Sequence, residues 1–273
     1  MINRYTTAAG MTIFVRLAAA IDAIGGKRRK KENPTAEAVQ KYNLKKAIRD
    51  LAILLNANFS GGDLHITLTY RGDEPNGEEA KRQLNNFWKR LRRAYRGIGK
   101  ELKWVAATEY KNKRIHHHIV INKGIAIEEI AKIWGNGILR TSVMDESGDY
   151  RKLAEYMIKE TEKTFRETDA AQRQRYSCSR NLVRPITKKE EVSAATMLRK
   201  PKPVKGYYID QDSIYEGTNP VTGMPYREYV MIALDAEPRL SIWQRGERVK
   251  ELAGDVWIRQ KEREQQLKIT PTM

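Results

Sequence analysis

The alternation of apolar and polar residues divides the middle of the chain into strands and helices. From Asp63 to Tyr70 every second residue is apolar, which predicts a β-strand with one buried face. Residues 78–97 instead repeat apolar residues at three- and four-residue spacing, which predicts an amphipathic helix. The same reasoning predicts strands at 102–109, 115–122 and 138–144, a helix ending near Trp134, a helix over 149–164 and a weaker strand near Tyr176. This order of elements predicts a mixed α/β (α+β) domain built around one sheet.

The first sixty residues are predicted to be helical. The apolar stretch 11–24 contains two charged residues, so it is too short and too charged to span a bilayer, and we interpret it as a helix. A basic run follows at 27–31, and the apolar residues of 44–55 then fall on one helical face. We therefore expect residues 1–60 to form a helical N-terminal segment with a basic linker.

The C-terminal third has a weaker pattern. Residues 206–214 and 227–234 are predicted to form the arms of a β-hairpin, because the turn-forming residues 219–223 lie between them. The last forty residues are polar and carry no clear periodicity. We expect the sheet domain to span 61–182, and 183–273 to form an accessory region with this hairpin and a polar tail.

Charge then points to the kind of partner. The chain has 51 Lys and Arg against 34 Asp and Glu, a formal net charge of +17 on 273 residues, which favours a polyanion such as DNA. The single cysteine, Cys178, cannot form an intrachain disulfide or a paired-cysteine metal site, which fits a reducing cytosol. The chain contains no GxxxxGK[ST] motif, so a P-loop ATPase or helicase motor is excluded.

Three of the four histidines are consecutive, at 116–118. In a strand, His116 and His118 face one side and His117 faces the other. If residues 111–114 form a four-residue turn, Glu109 lies opposite His116 on the same face, and two imidazoles and a carboxylate converge as ligands for one divalent cation. The alternative is a solvated strand without a metal. On the first interpretation, His117 is dispensable for metal binding.

A tyrosine and two lysines share one face of the helix predicted over 149–164. Tyr156 lies opposite the apolar face, with Lys152 four residues before it and Lys159 three residues after it, whereas Tyr150 points toward the apolar side. Nearby ammonium groups stabilise a phenolate and hold phosphate, so Tyr156 is a candidate nucleophile. An exposed tyrosine on a solvated helix face is the alternative.

A basic stripe runs along the helix predicted over 78–97. Residues 81–103 include nine basic residues and one acid. The stripe opposite the apolar face consists of Arg82, Lys89, Arg93 and Arg96. These side chains, together with Lys152, are candidates for contacts to the DNA phosphate backbone. A solvated outer face is the alternative for the stripe.

Taken in order, these stretches resemble the motifs of the HUH endonucleases, and among them the rolling-circle replication initiators of bacterial plasmids, phages and mobile elements. Residues 64–70, LHITLTY, resemble the first motif, His116-His117-His118 resembles the HUH motif, and Tyr156-Met157-Ile158-Lys159 resembles the Tyr-x-x-Lys motif. The resemblance covers roughly residues 40–182. The middle residue of the HUH motif is usually bulky and hydrophobic, and here it is His117.

The resemblance implies an HUH-type domain with a central, mainly antiparallel sheet flanked by helices. It also implies Tyr156 as nucleophile of a single-tyrosine nickase-ligase, Lys159 as a helper, and Glu109, His116 and His118 as ligands of Mg²⁺ or Mn²⁺, with a third histidine ligand left open. The product would be a 5′-phosphotyrosyl link to single-stranded DNA at an origin or origin hairpin, in the bacterial cytosol, with host helicase and polymerase as partners. The alternatives are a relaxase or single-strand transposase of the same superfamily, or a non-catalytic DNA-binding regulator.

Overall fold

The computed structural model divides the chain into two compact units, one of residues 27–183 and one that joins residues 1–26 to 184–273. It describes residues 2–19, 37–109, 114–165, 174–234, 243–244 and 247–248. Each unit contains an antiparallel sheet, and the larger unit adds helices to both faces of its sheet. The predicted α+β class with a central sheet is therefore confirmed, whereas the division into functional domains at residues 60 and 182 remains a prediction.

The described elements follow in chain order. The first are β1 (Ile2–Ala9), β2 (Thr12–Ala19), α1 (Glu37–Asn58), β3 (Leu64–Leu68), α2 (Gly77–Gly97), β4 (Trp104–Glu109) and β5 (His116–Ile121). They continue with α3 (Ile127–Trp134), β6 (Leu139–Val143), α4 (Arg151–Phe165), β7 (Ser177–Cys178), β8 (Lys188–Val192) and α5 (Ala195–Leu198). The last are β9 (Tyr207–Ile209), a 3-10 turn (Gln211–Ser213), β10 (Tyr215–Thr218), β11 (Pro225–Ala233), β12 (Trp243–Gln244) and β13 (Glu247–Arg248).

The sheet of the larger unit has the strand order β6-β3-β5-β4-β7, and every pair in it is antiparallel. One face packs against α2 and α3, with a core formed by Ile66, Leu68, Phe87, Leu91, Ile119 and Trp134 among others. On the other side, α4 packs against β4 and against α1. The polar residues that alternate with this core, including His65 and His118, therefore face the α4 side of the sheet.

Helix α2 starts and ends close to its predicted bounds. Asn76 caps the helix, because its side-chain oxygen accepts a hydrogen bond from the N–H of Glu79 at 2.9 Å. Glu78 and Glu79 in the first turn and Arg96 in the last turn also favour the helix dipole. Burial of the apolar face of α2 then anchors the helix to the sheet.

The smaller unit corrects the prediction for the N terminus. Residues 11–24 are predicted to be helical, but Thr12–Ala19 is a strand that pairs with β1 on one side and β11 on the other. A two-residue turn connects β1 to β2, and Gly10 supplies its positive φ of 54°. Four consecutive residues, 12–15, are buried, so β2 is a nearly continuous apolar run rather than an alternating one. Such a run cannot be separated from a buried helix by periodicity.

The same sheet corrects one arm of the predicted hairpin. Its order is β10-β11-β2-β1-β8, with β9 also paired to β11. The second predicted arm corresponds to β11, but the hairpin partner is β10, whereas residues 207–209 pair with the far end of β11. The 3-10 turn interrupts the first predicted arm, because the side chain of Asp210 accepts a hydrogen bond from the N–H of Asp212.

Two remaining predictions concern residues near the ends. The helix predicted from 44–55 is confirmed as part of α1, and the basic run 27–31 lies outside the described residues. Of the polar tail, the structure describes only β12 and β13, which pair with each other. Within the described parts of the chain, no helix is long and apolar enough to cross a membrane.

Candidate metal and nucleophile site

Pairing between β4 and β5 brings a carboxylate next to two imidazoles. Glu109 lies directly opposite His116, as the predicted turn length requires, so this register is confirmed. His118 lies on the same face because it is two residues further along β5, and His117 faces the other side. The ligand atoms of Glu109, His116 and His118, here called the Glu-His-His cluster, all lie within 4.8 Å of one another.

Neighbouring groups orient both imidazoles of the cluster. Nδ1 of His116 donates a hydrogen bond to the carbonyl oxygen of Arg114 at 2.9 Å, which leaves Nε2 as its electron-pair donor. That Nε2 lies 3.1 Å from Oε2 of Glu109. Nδ1 of His118 lies 3.4 Å from Oγ1 of Thr67. Ligands about 2.1 Å from an octahedral ion stand roughly 3 Å apart, so the residues present fit a divalent cation.

Helix α4 brings Tyr156 to this cluster. The Tyr156 ring lies edge-on to the His118 ring, with 4.9 Å between the centroids, and is 43% exposed. The opposite side of α4 is fully buried, with Ala154, Met157 and Ile158 in the core. The predicted phase of this helix is therefore confirmed, and a phenol accessible to solvent stands beside the imidazoles.

Tyr150 occupies a different environment. Its ring is 4% exposed, and its hydroxyl donates a hydrogen bond to the carbonyl oxygen of Asp145 at 2.9 Å. Burial, followed by the negative charge of Asp145, raises the pKa of the Tyr150 hydroxyl. Tyr150 is thus held as a neutral structural phenol, as its helix phase predicts.

Comparison with known proteins identifies a family match over this part of the chain. Residues 63–165 match the model of a family of replication-associated proteins, the ORF2 type. The matched segment contains the Glu-His-His cluster and Tyr156, and it covers fewer than half of the 273 residues. Neither the curated proteins nor the solved structures contain a match.

His65, in the segment matched to the replication-associated family, lies beside the cluster and has no role in the sequence prediction. Its ring stacks on that of His118, with centroids 5.9 Å apart, and lies 6.1 Å from the Tyr156 ring. Nδ1 of His65 is 3.2 Å from Oγ of Ser142, and its buried Nε2 has no hydrogen-bond partner among the described residues. Burial lowers the pKa of His65, so the ring is neutral. The polar face of β3 was the available signal, but the sequence does not reveal that β3 neighbours β5.

His117 is buried on the opposite face of the sheet, where both ring nitrogens have hydrogen-bond partners. Nδ1 is 2.8 Å from Oγ1 of Thr108, and Nε2 is 2.6 Å from Oη of Tyr70. Tyr70 in turn donates to the carbonyl oxygen of Ala80 at 3.3 Å, which favours the tautomer with the proton on Nε2. Burial, and then the neighbouring His116 and His118, lower the pKa of His117 to about 3. A neutral, hydrogen-bonded imidazole thus replaces the hydrophobic residue usual at this position.

The two lysines of α4 are exposed, and one of them is paired. Nζ of Lys159 lies 2.6 Å from Oε1 of Glu155, one turn away, and Lys152 is exposed on the same helix. The ion pair partly offsets the positive charge that Lys159 contributes near Tyr156. The roles of Lys152 and Lys159 remain predictions.

Lys159→Ala is expected to slow cleavage about five-fold without preventing it, because an exposed ammonium contributes up to about 1 kcal/mol to a neighbouring charge. Single-turnover nicking rates at saturating Mn²⁺ would measure the effect. Glu155→Gln is the matched variant, and it should speed cleavage slightly because it releases the Lys159 ammonium. A Lys159→Ala protein that cuts at the wild-type rate would remove Lys159 from the reaction.

The basic stripe of α2 lies on the other side of the sheet from the cluster. Its four residues, Arg82, Lys89, Arg93 and Arg96, are all exposed, and Arg82 pairs with Glu79 at 2.7 Å. Because α2 packs on the sheet face opposite His118, a strand bound at the cluster reaches the stripe only by passing around the sheet. DNA contact by the stripe therefore remains a prediction for DNA outside the cleavage site.

Charge reversal of all four stripe residues to Glu is expected to weaken DNA binding and flatten its salt dependence. Each phosphate contact contributes about 0.9 to the slope of log K against log salt, so the slope should fall by roughly three to four. Fluorescence anisotropy between 50 and 200 mM salt would measure it, with circular dichroism to establish folding. A folded variant with an unchanged slope would identify the stripe as a solvated helix face.

Proposed function

We propose that the protein is an HUH-type, single-tyrosine endonuclease that nicks and rejoins single-stranded DNA at a replication origin and so initiates rolling-circle replication. The observation that carries the proposal is the Tyr156 ring 4.9 Å from that of His118, within a cluster whose three ligand atoms lie inside 4.8 Å. The family match to replication-associated proteins over residues 63–165 supports the same function.

In this proposal, Glu109, His116 and His118 hold a divalent cation, Mg²⁺ or Mn²⁺. When bound, the ion polarises the scissile phosphate and offsets the charge that grows on its oxygens. Two neutral imidazoles and one carboxylate give a binding set of charge −1, which leaves the bound site cationic toward DNA. The hydrogen bond from His116 to the Arg114 carbonyl keeps Nε2 directed at the cluster.

Tyr156 supplies the nucleophile. Its oxygen attacks the phosphorus in line, the new Tyr–O–P bond forms, and the bond from phosphorus to the 3′ oxygen breaks. The phenol proton passes to solvent, and the departing 3′ oxygen takes up a proton to become a hydroxyl that can prime a polymerase. The phosphodiester energy is kept in the 5′-phosphotyrosyl bond, so rejoining by attack of a 3′-hydroxyl requires no ATP.

The proposal extends to the cellular setting. Because the chain encodes no P-loop motor, separation of the strands would depend on a host helicase, and extension of the freed 3′-hydroxyl on a host polymerase. A single cysteine in 273 residues fits the bacterial cytosol. The substrate would be the exposed single strand of an origin or origin hairpin.

A cleavage assay on a randomised pool of single-stranded oligonucleotides tests the proposal without knowledge of the origin. With Mn²⁺, we expect protein–DNA adducts that survive denaturation, sequence enrichment at the adduct end, and rejoining when a 3′-hydroxyl strand is added. Chelation of the metal should abolish all three. DNA binding with no adduct at any metal concentration would instead identify a non-catalytic regulator, and adducts without rejoining would contradict the nickase-ligase cycle.

A further inference from the structure

A run of basic residues lies in the smaller unit, in a part of the sequence with no acidic residue. Residues 193–209 contain no Asp or Glu, and they carry four cations: Arg199, Lys200, Lys202 and Lys205. All four are exposed. Residues 199–206 are called the basic strap below. The strap belongs to the unit that does not contain Tyr156 or the Glu-His-His cluster.

Local sequence holds the strap in an extended conformation. Arg199 has φ −86° and ψ 147°. Pro201 and Pro203 fix their own φ near −65°, and each also restricts the lysine before it to extended backbone. Five consecutive residues are therefore directed into one conformation before any ligand binds. Little conformational entropy is left to lose on binding.

A buried arginine fixes the start of the strap. The guanidinium of Arg227, on β11, donates to the carbonyl oxygens of Met197 and Arg199, both at 2.7 Å. Its third contact is the carboxylate of Glu216, at 2.6 Å. Arg227 is 7% exposed, so its charge is spent within the fold, whereas the strap side chains that it positions remain at the surface.

Backbone hydrogen bonds fix the other end of the strap. The N–H of Tyr207 donates to the carbonyl oxygen of Val204 at 3.0 Å, closing a turn in which Gly206 has a positive φ of 84°. The N–H of Leu234 donates to the carbonyl oxygen of Gly206 at 2.9 Å, and β9 then pairs with β11. Both ends of the strap are thus tied to the same strand.

The carboxylates of this unit are engaged with other cations. Glu190 pairs with Arg4 at 3.0 Å, Glu228 with Arg16 at 3.4 Å, and Glu216 with Arg227 at 2.6 Å. Among the described residues, no carboxylate forms an ion pair with a lysine of the strap. The strap therefore presents a single sign of charge to solvent, which attracts a polyanion.

We propose that the basic strap is a second DNA site, which binds the phosphate backbone of double-stranded DNA independently of sequence. Ammonium groups hold phosphates as point charges and read no bases. Sites for single strands combine such charges with aromatic side chains on which bases stack, and residues 199–206 contain no aromatic residue. The inference rests on the proposed function only in taking DNA as the partner, so that the strap would hold duplex while the larger unit acts on the nicked strand.

Binding of the full chain to a 40-base-pair duplex of arbitrary sequence tests this site. Chelation of metal during the measurement keeps the test separate from nicking. Lys202→Gln with Lys205→Gln should weaken binding roughly ten-fold at 0.1 M salt and lower the salt slope by about two. The matched control removes two exposed charges from β8 of the same unit, by Lys188→Gln with Lys189→Gln, and should have a clearly smaller effect.

A second variant keeps the charge and removes the stiffness. Pro201→Gly with Pro203→Gly should weaken duplex binding about five-fold with an unchanged salt slope, because the cost of ordering the strap then falls on binding. Equal losses in the strap and control lysine variants would overturn the site, as would wild-type affinity in the strap lysine variant. Loss of binding to phosphatidylserine vesicles with duplex binding intact would also overturn it, and would assign the strap and the neighbouring Leu198, 89% exposed, to a membrane.

Discussion

Tyr156→Phe should abolish the covalent DNA adduct and lower nicking by roughly 10³-fold or more, because it removes only the attacking oxygen. The ring would still pack edge-on against His118, and α4 would keep its buried face. Mn²⁺ affinity and single-strand affinity should therefore stay near wild type. Denaturing gel analysis of the adduct, beside equilibrium binding of the same oligonucleotide, would separate a chemical defect from a binding defect.

Tyr150→Phe is the matched control on the same helix. It removes a buried hydroxyl that donates to Asp145, so it should cost about 1 kcal/mol of folding stability and still form adduct. Peptide mass spectrometry of the trapped adduct would locate the modified residue and establish that the link is to a 5′-phosphate. An adduct at Tyr150 or Tyr176, or nicking that leaves no adduct, would contradict the proposed mechanism.

Two features of the candidate site follow from the sequence because each depends on one local geometric rule. The four-residue connection between Tyr110 and Ile115 sets an antiparallel register, and that register puts Glu109 opposite His116. The helix period puts Tyr156 opposite the buried residues of α4. Neither rule requires knowledge of the rest of the fold.

Other features depend on contacts between elements that are distant in sequence. His65 reaches His118 only because β3 pairs with β5, a pairing that no local pattern reveals. Likewise, the amphipathic pattern of α2 indicates that one face is buried, but not which side of the sheet the helix covers. The strand Thr12–Ala19 was mistaken for a helix because its pairing with β1 and β11 buries it nearly continuously.

The structure also changes the meaning of the three-histidine motif, and this leads to the second large expected effect. Single substitutions of Glu109, His116 or His118 by Ala should weaken Mn²⁺ binding by about 10²-fold or more, since each removes a ligand outright and loss of a supporting group alone costs 10- to 100-fold. Nicking should fall in parallel at limiting Mn²⁺ and recover in part at millimolar Mn²⁺. Calorimetric titration with Mn²⁺ in the absence of DNA would measure the affinity directly.

His117 is the internal control, but alanine is the wrong replacement for it. The ring is fully buried, so His117→Ala would leave a cavity and would remove the partner of Thr108 and Tyr70, at a cost of roughly 2–4 kcal/mol. His117→Leu fills most of the volume and leaves Tyr70 able to donate to the Ala80 carbonyl, so it should cost less, about 1–3 kcal/mol. Below its unfolding temperature this variant should bind Mn²⁺ and nick DNA close to wild type. A folded His117→Leu protein without Mn²⁺ affinity, beside a His118→Ala protein that binds and cuts normally, would mean that the metal lies on the opposite face of β5.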